Sequence, residues 1–338
     1  MGKRAWIAID VSMKSFQASI ADDSVAVRHW SSLPSANFEH SAVGMKQFVM
    51  WAKGQGWNSQ NVVGICIEAT GRHTQRWVEL YKGRLGPVCI VNPARPKAFA
   101  KSLGIKDKSD RVDACVLALY AKATQPKPAP VDSASVRELR ELCRLRNALE
   151  AQRQANQQRL ADGPCSALVR AALKRSMTAQ RREIQQLDKA MYELIRNDAT
   201  MYKDFKRAKT IKGIGPRSAT VILAEFGDLR RYNRDQLVAL AGLYPREYTS
   251  GTSVRKRPRL AKAGKAPVRA ALYMAAMSAI QADLNHRRFA QRLKENGKNP
   301  MQILGAVMRK LLMLVHAVVV SETDYDPNYQ MRVQSQTA

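Results

Sequence analysis

Four carboxylates stand where they could handle a phosphodiester. Asp10 closes an apolar run, AWIAIDV (residues 5–11), and Glu68 closes another, VVGICIE (residues 62–68). An acid embedded in such a run is costly to bury without a partner. Asp110 and Asp113 lie three apart in a segment patterned as a helix, so both carboxylates share one helix face. Asp107 precedes that helix and can simply favour its N-terminus. Hard oxygen donors without a neighbouring His or Cys suit Mg²⁺. Two such ions held about 3.5–4 Å apart would clamp the attacking and leaving oxygens of a phosphate displacement. On spacing alone, the same four acids also read as unrelated surface charges, or as caps and partners of local cations such as Arg111.

A second chemical cluster is YTSGTSVRKR (residues 248–257). Tyr248, Thr249, Ser250, Thr252 and Ser253 carry hydroxyls, and cations follow at once. Residue chemistry does not choose among them. Hydroxyls beside a glycine such as Gly251 serve more often as turn or phosphate-binding groups than as nucleophiles. Residues 255–269 hold seven Lys or Arg and no acid: Arg255, Lys256, Arg257, Arg259, Lys262, Lys265 and Arg269. A charge run usually marks a solvated face, but next to the hydroxyls it favours phosphate contact. Upstream, Gly213-Ile214-Gly215 separates two helical patterns in the form of a helix-hairpin-helix. There Gly213 and Gly215 would let backbone N–H groups approach a phosphate. A plain helix–helix turn with glycine caps has the same pattern.

Charge gives these clusters a partner. Fifty-six Lys and Arg face 28 Asp and Glu, a net charge of +28 with a pI near 10.3. Such an excess points to a polyanion, foremost nucleic acid, because neutralised phosphates release counterions. Steep weakening of binding with salt is expected. A ribosome-associated or membrane-surface protein would share the charge but not the long alternation of apolar strands and helices. At 338 residues and 45% hydrophobic content, two or three folded domains are expected. No run of eighteen apolar residues occurs and the N-terminus has no signal-peptide form, so no membrane partner is expected. Cys66, Cys89, Cys115, Cys143 and Cys165 are odd in number and widely spaced, which indicates reduced thiols rather than a zinc or disulfide framework.

The elements that must position these groups follow from periodicity. Strands are expected at 5–11, 15–20, 25–30 (VAVRHW), 62–67 and 87–91. Helices are expected from Ser41 and over 75–83, 94–103 and 109–123. Strands first, then strand–helix alternation, indicate a mixed α/β sheet. The proline-rich TQPKPAPVDSAS (124–135) reads as a linker. Two long basic helices follow, one spaced by Leu142, Leu145 and Leu149, the other by Met177, Ile184, Leu187, Met191 and Leu194. Asp162-Gly163-Pro164 breaks them apart. They read as a helical hairpin, a coiled-coil association surface or an ordinary bundle. The remainder, through Ser250 to about Val320, reads as largely helical, before a polar tail.

A strand-borne Asp, a later strand-borne Glu and then Asp-x-x-Asp on a helix is the layout of a ribonuclease-H-like nuclease core. Taken with AIDVS, CIEATG, VNPARPKAFAKSLG, DKSDRVDA, IKGIGPRSA, LVALAGLYPREYTSGTSVRKRPRLAKAG and ALYMAAM, the chain resembles the insertion-sequence transposases with a DEDD RuvC-like domain. These are relatives of the Piv invertase, described as bridge-RNA-guided serine recombinases. The likeness runs over nearly the full chain. It implies a RuvC-like metal-binding domain at 1–124 and a linker with a coiled-coil-like helical segment at 125–200. A helical transposase domain with the helix-hairpin-helix and the serine would span 201–325, and a tail 326–338.

The resemblance further implies that Asp10, Glu68, Asp110 and Asp113 hold Mg²⁺, as two ions. It implies that Ser250 attacks a DNA phosphate to form a covalent phosphoserine link. The implied partners are donor and target DNA, a structured non-coding guide (bridge) RNA and further copies of the chain, as a homodimer or homotetramer. The implied place is the bacterial cytoplasm, at the nucleoid. Arg255 and Lys256 could stabilise charge on the transition state. Two other readings remain open: a hydrolytic RuvC-type junction nuclease in which water attacks, and a non-enzymatic nucleic-acid-binding scaffold.

Overall fold

The computed structural model describes residues 3–328 except 70, 130–131, 164–165, 251–253 and 262; at 27–28, 72, 247–250 and 254–259 it describes the backbone alone. The chain divides into two compact units, Met1–Val131 and Asp132–Ala338.

The first unit is built on a five-stranded mixed sheet with strand order β3-β2-β1-β4-β5. β1 (Ala5–Val11), β2 (Ser15–Asp22) and β3 (Ser35–Glu39) form an antiparallel meander. β4 (Val62–Glu68) runs parallel to β1, and β5 (Val88–Val91) parallel to β4. This is compatible with a RuvC-like domain. Parallel strands need both faces covered, which is why β1 and β4 read as continuous apolar runs. On one face, Ile7, Ile9, Ile65 and Ile67 pack with Phe48 of α1 (Ala42–Gly54) and with Trp77 and Tyr81 of α2 (Arg72–Tyr81). On the other, Trp6, Ala8, Cys66 and Cys89 meet Cys115, Leu117 and Ala118 of α4 (Asp110–Thr124). Gly64 allows the close approach of Trp6, since a Cβ there would stand 2.7 Å from the indole ring. Between β5 and α4 lies the short α3 (Ala94–Ser102).

One expected strand is absent. Residues 27–32 of the VAVRHW region form a 3-10 turn, and the third strand is Ser35–Glu39 instead. The alternating apolar residues are used differently: Val25 and Trp30 pack against the α4-side core. The turn is tied down by the Lys122 ammonium, which donates to the carbonyls of Asp23 (3.1 Å) and Val25 (2.8 Å).

The second unit opens with a helical hairpin of α5 (Ala134–Ala161) and α6 (Ala167–Asn197). The pairings Arg146–Asp188 and Asn156–Ser176 show the two helices antiparallel within one chain. α7 (Ala199–Thr210) and α8 (Pro216–Phe226) flank the glycine turn, and α9 (Arg234–Ala241) follows. α10 (Ala266–Ala282), α11 (Leu284–Glu295) and α12 (Pro300–Val320) complete the unit. α12 is long and apolar enough to cross a membrane, but half of that stretch is buried. Its Val307, Leu311, Leu312, Val315 and Val319 lie in the unit's core with Leu272, Ala276 and Ile222.

The expectation of helix through Ser250 fails. Pro245–Ser250 (β6) and Val254–Leu260 (β7) pair as an antiparallel hairpin. Pro258 lacks an N–H, and the register shifts beside it, between Arg246 and Tyr248 on the facing strand.

Candidate active site

β1 and β4 deliver two of the four acids. Side chains alternate along a strand, so Asp10 follows Trp6 and Ala8, and Glu68 follows Cys66, on the face covered by α4. Ile9 pairs with Ile67 in the parallel register, which makes Asp10 and Glu68 neighbours at the carboxyl ends of the two strands. Ser109 starts α4 by accepting from the Val112 N–H (3.3 Å), and Asp110 and Asp113 occupy the first turn above it. The end of β4 is held by Thr74, whose hydroxyl donates to the Glu68 carbonyl at 2.6 Å.

The electrostatics show these carboxylates acting on one another. Burial first, then the charges of Asp113 and Asp110, push Asp10 up to about 6, against a backbone hydrogen bond from Val11. Glu68 is raised by burial, then by Asp10 and Asp113, with Lys97 opposing. Asp113 is raised by burial and by Asp110, with Lys108 and Lys97 opposing. Lys97 and Lys108 were not among the sequence-derived candidates. Their only signal is a basic residue on each side of the Gly104 turn that leads into α4.

Arg111, the cation beside these acids in sequence, is turned elsewhere and donates to the Ser31 carbonyl (3.1 Å). Among the described residues, none of the four acids forms an ion pair within 4.0 Å. The donors are hard oxygens of the kind that suits a divalent cation, with Lys97 and Lys108 as the cations that act on them. The side chains are not drawn in to coordinating distance: among the described residues, no three acids, His or Cys stand within reach of one ion.

The other sequence-derived residues lie in the second unit. Ser250 is the last residue of β6, opposite Val254, with Thr249 opposite Arg255, Tyr248 opposite Lys256 and Arg246 opposite Arg259. Thr252, Ser253 and Lys262 lie outside the described residues, as do the side chains of Tyr248, Thr249, Ser250, Arg255, Lys256, Arg257 and Arg259. Lys265 is described and is engaged internally. It starts α10, and its ammonium stands 3.3 Å from Glu225, whose side chain is 4% exposed.

Gly213 and Gly215 differ. Gly213 has φ +97, and a Cβ there would stand 2.5 Å from the Ala279 Cβ, so it serves close packing on α10. Gly215 caps α8 with φ −83 and faces open space.

Comparison with known proteins fits this division. Residues 7–162, which include all four acids, match a transposase family of the DEDD, IS110-related type. Residues 206–291, which include the glycine turn and Ser250, match the family described as "Transposase IS116/IS110/IS902 family". The chain is therefore a transposase, an enzyme of DNA recombination. More closely, it belongs to the IS110 family of insertion-sequence transposases.

The pilin gene-inverting protein of Moraxella bovis is 28% identical over 326 residues, 96% of this chain and 98% of that protein. The pilin gene-inverting protein of Moraxella lacunata is similar to the same extent, 28% over 326 residues and the same shares of each chain. A 43.6 kDa protein of insertion element IS110 from Streptomyces coelicolor is 27% identical over 118 residues, 35% of this chain and 29% of that one.

Proposed function

We propose that this transposase breaks and rejoins DNA through a covalent link made by Ser250, with Asp10, Glu68, Asp110 and Asp113 holding Mg²⁺. The observation that carries the reading is that four acids act on one another at the carboxyl end of β1 and β4, none of them in an ion pair within 4.0 Å among the described residues. Divalent ions bound there would supply positive charge to a phosphate as its P–O bonds exchange. The chain's own residues orient and balance the reaction. Asp10 and Glu68 sit on adjacent strands of a covered sheet, which fixes their separation, and Asp110 and Asp113 approach from the start of α4.

In the covalent step the Ser250 Oγ–P bond forms as one phosphate–sugar bond breaks. The hydroxyl loses a proton and the departing sugar oxygen gains one. Because the phosphoester is kept, attack by another sugar hydroxyl reverses the step and joins strands without ATP. Arg255 and Lys256 stand one and two register positions from the Ser250 pair, near enough to favour charge developing on the phosphate. A net charge of +28 supports binding of donor and target DNA together with a structured guide RNA. RNA pairing would choose the sites while the protein holds backbone and shape. A homodimer or homotetramer would bring two DNA partners together.

A second reading has its own support. All four acids belong to the first unit and Ser250 to the second, so the acid set could direct water alone and Ser250 would only bind phosphate. Trapping separates the two. Labelled DNA, Mg²⁺ and the RNA encoded beside the gene should give a denaturation-resistant protein–DNA adduct that Ser250→Ala abolishes. Strand joining that survives Ser250→Ala would overturn the nucleophile, and joining that is indifferent to RNA would overturn guidance.

A further inference from the structure

A cavity of about 260 Å³ opens where α5, α6, α7 and α8 meet, within the second unit. Its wall is apolar and aromatic: Met191 and Phe205 are buried, while Tyr192 is 43% exposed and stands edge-on to Phe205 at 6.3 Å. Two guanidinium groups line the same space. Arg146 is held by Asp188 through Nε (3.0 Å) and Nη2 (3.4 Å), but its Nη1 is buried and has no hydrogen-bond partner. Among the described residues, Arg217 donates a single long bond, 3.4 Å, to the side-chain amide oxygen Oδ1 of Asn147.

Two guanidinium groups face one lining carboxylate, Asp188, so positive charge is in excess. Partial burial and then the Arg146 charge pull the Arg217 guanidinium below its ordinary value, with Glu150 and Asp188 opposing, so the two cations are close enough to repel. Asp188 pairs with Arg146 at 3.0 Å and Glu150 with Arg153 at 2.8 Å, and both acids offset the charge at Arg217 without forming an ion pair to it among the described residues. Crowding two cations against an apolar wall is unfavourable unless a ligand brings negative charge. The volume lies just under the ~300 Å³ at which drug-sized pockets begin. That excludes a duplex and suits one flat ring.

We propose that this cavity binds one unpaired nucleotide of a nucleic-acid strand, its base on Tyr192 and Phe205 and its phosphate on Arg146 and Arg217. Aromatic rings and guanidinium groups are the usual receivers of splayed-out bases. The site is independent of the acids and of Ser250. A displaced DNA strand and a single-stranded RNA segment offer the same chemistry, and sugar identity separates them.

The test uses the full chain and three fluorescent probes: a DNA hexamer, the RNA hexamer of the same sequence, and a DNA duplex. Tyr192→Ala and Arg217→Ala should each weaken single-strand binding roughly tenfold, as expected for loss of one stacked base or one phosphate contact. Duplex affinity should stay within about twofold. Arg217→Ala should also lower the salt slope by about one, and Tyr192→Ala should leave it unchanged. Tyr192→Phe should restore binding, which keeps the test valid if the alanine variant folds poorly. Loss confined to the RNA probe assigns the site to RNA, and loss confined to the DNA hexamer assigns it to a displaced DNA strand. Equal loss on the duplex, no loss on any probe, or a change in self-association alone would overturn the proposal.

Discussion

The two units hold the groups proposed to react by opposite means. Asp10 and Glu68 end strands whose inner residues, Ile7, Ile9, Ile65 and Ile67, are completely buried, so a packed sheet fixes where the carboxylates stand. Ser250 ends one strand of a two-stranded ribbon, a unit that is marginal by itself in water. Arg246 and Arg259 are register partners across that ribbon. The acid site is organised by the packed sheet of its own unit, whereas the proposed nucleophile sits on a sheet of two strands.

The comparison breaks most sharply at the acids. Asp10→Asn or Glu68→Gln is expected to slow strand cleavage by about 10³-fold or more in single-turnover assays, because each removes a preorganised charge. DNA binding should persist. A loss below tenfold would remove these acids from the chemistry and leave the second unit to explain cleavage alone.

The next effect concerns stability and separates cations that look alike in sequence. Lys265→Met leaves Glu225 buried, with only Arg144 at 3.8 Å. Breaking a buried pair typically costs several kcal/mol, and roughly 3 kcal/mol is expected here because Arg144 remains. Urea unfolding measures it. The double variant Lys265→Met/Glu225→Leu should recover most of the loss, and failure to recover would mean that Lys265 packs rather than pairs.

What could be read in advance follows the same division. A strand that carries an acid at or next to its end, after an unbroken apolar run, is visible without a structure, because burial on both faces forbids polar residues before that point. Asp10 and Glu68 were therefore legible, and so was their common sheet. Ser250's hairpin was not, since its residues are polar, cationic and interrupted by Pro258, with no apolar alternation to mark a strand. VAVRHW had that alternation and forms a 3-10 turn, because Val25 and Trp30 satisfy their burial against the α4-side core. Lys265 looked like its basic neighbours because its partner, Glu225, lies 40 residues away. Period and composition report local chemistry, and a partner so distant in sequence leaves no trace in them.

The acid site should also mark the pH dependence of folding. Asp10 stands near 6 in the folded chain against 3.8 for the free side chain. Between those values the folded state keeps a proton that the unfolded state has lost, so stability falls as pH rises from about 4 to about 6 and then levels. The two-unit difference amounts to at most about 3 kcal/mol. With a chelator present, Asp10→Asn should flatten this slope and raise stability at about pH 7.5 relative to the parent. A parent whose urea midpoint is unchanged across that window would show that Asp10 is not held among like charges.

The smallest effects lie in the glycine turn of the second unit, where one residue serves packing and the other faces outward. Gly213→Ala combines a positive φ with a clash on Ala279 and the Ala275 carbonyl, and should cost about 2–3 kcal/mol. Gly215→Ala keeps an allowed φ and meets no atom within 4 Å, so stability should stay within about 0.5 kcal/mol. Gly215 is thus the position at which ligand approach can be tested without disturbing the fold. If a phosphate reaches the start of α8, the added methyl should weaken duplex DNA binding by a few fold at unchanged melting temperature. Unchanged binding would reduce the turn to a packing device between α7 and α8, and would leave the hairpin and its cations as the second unit's grip on DNA.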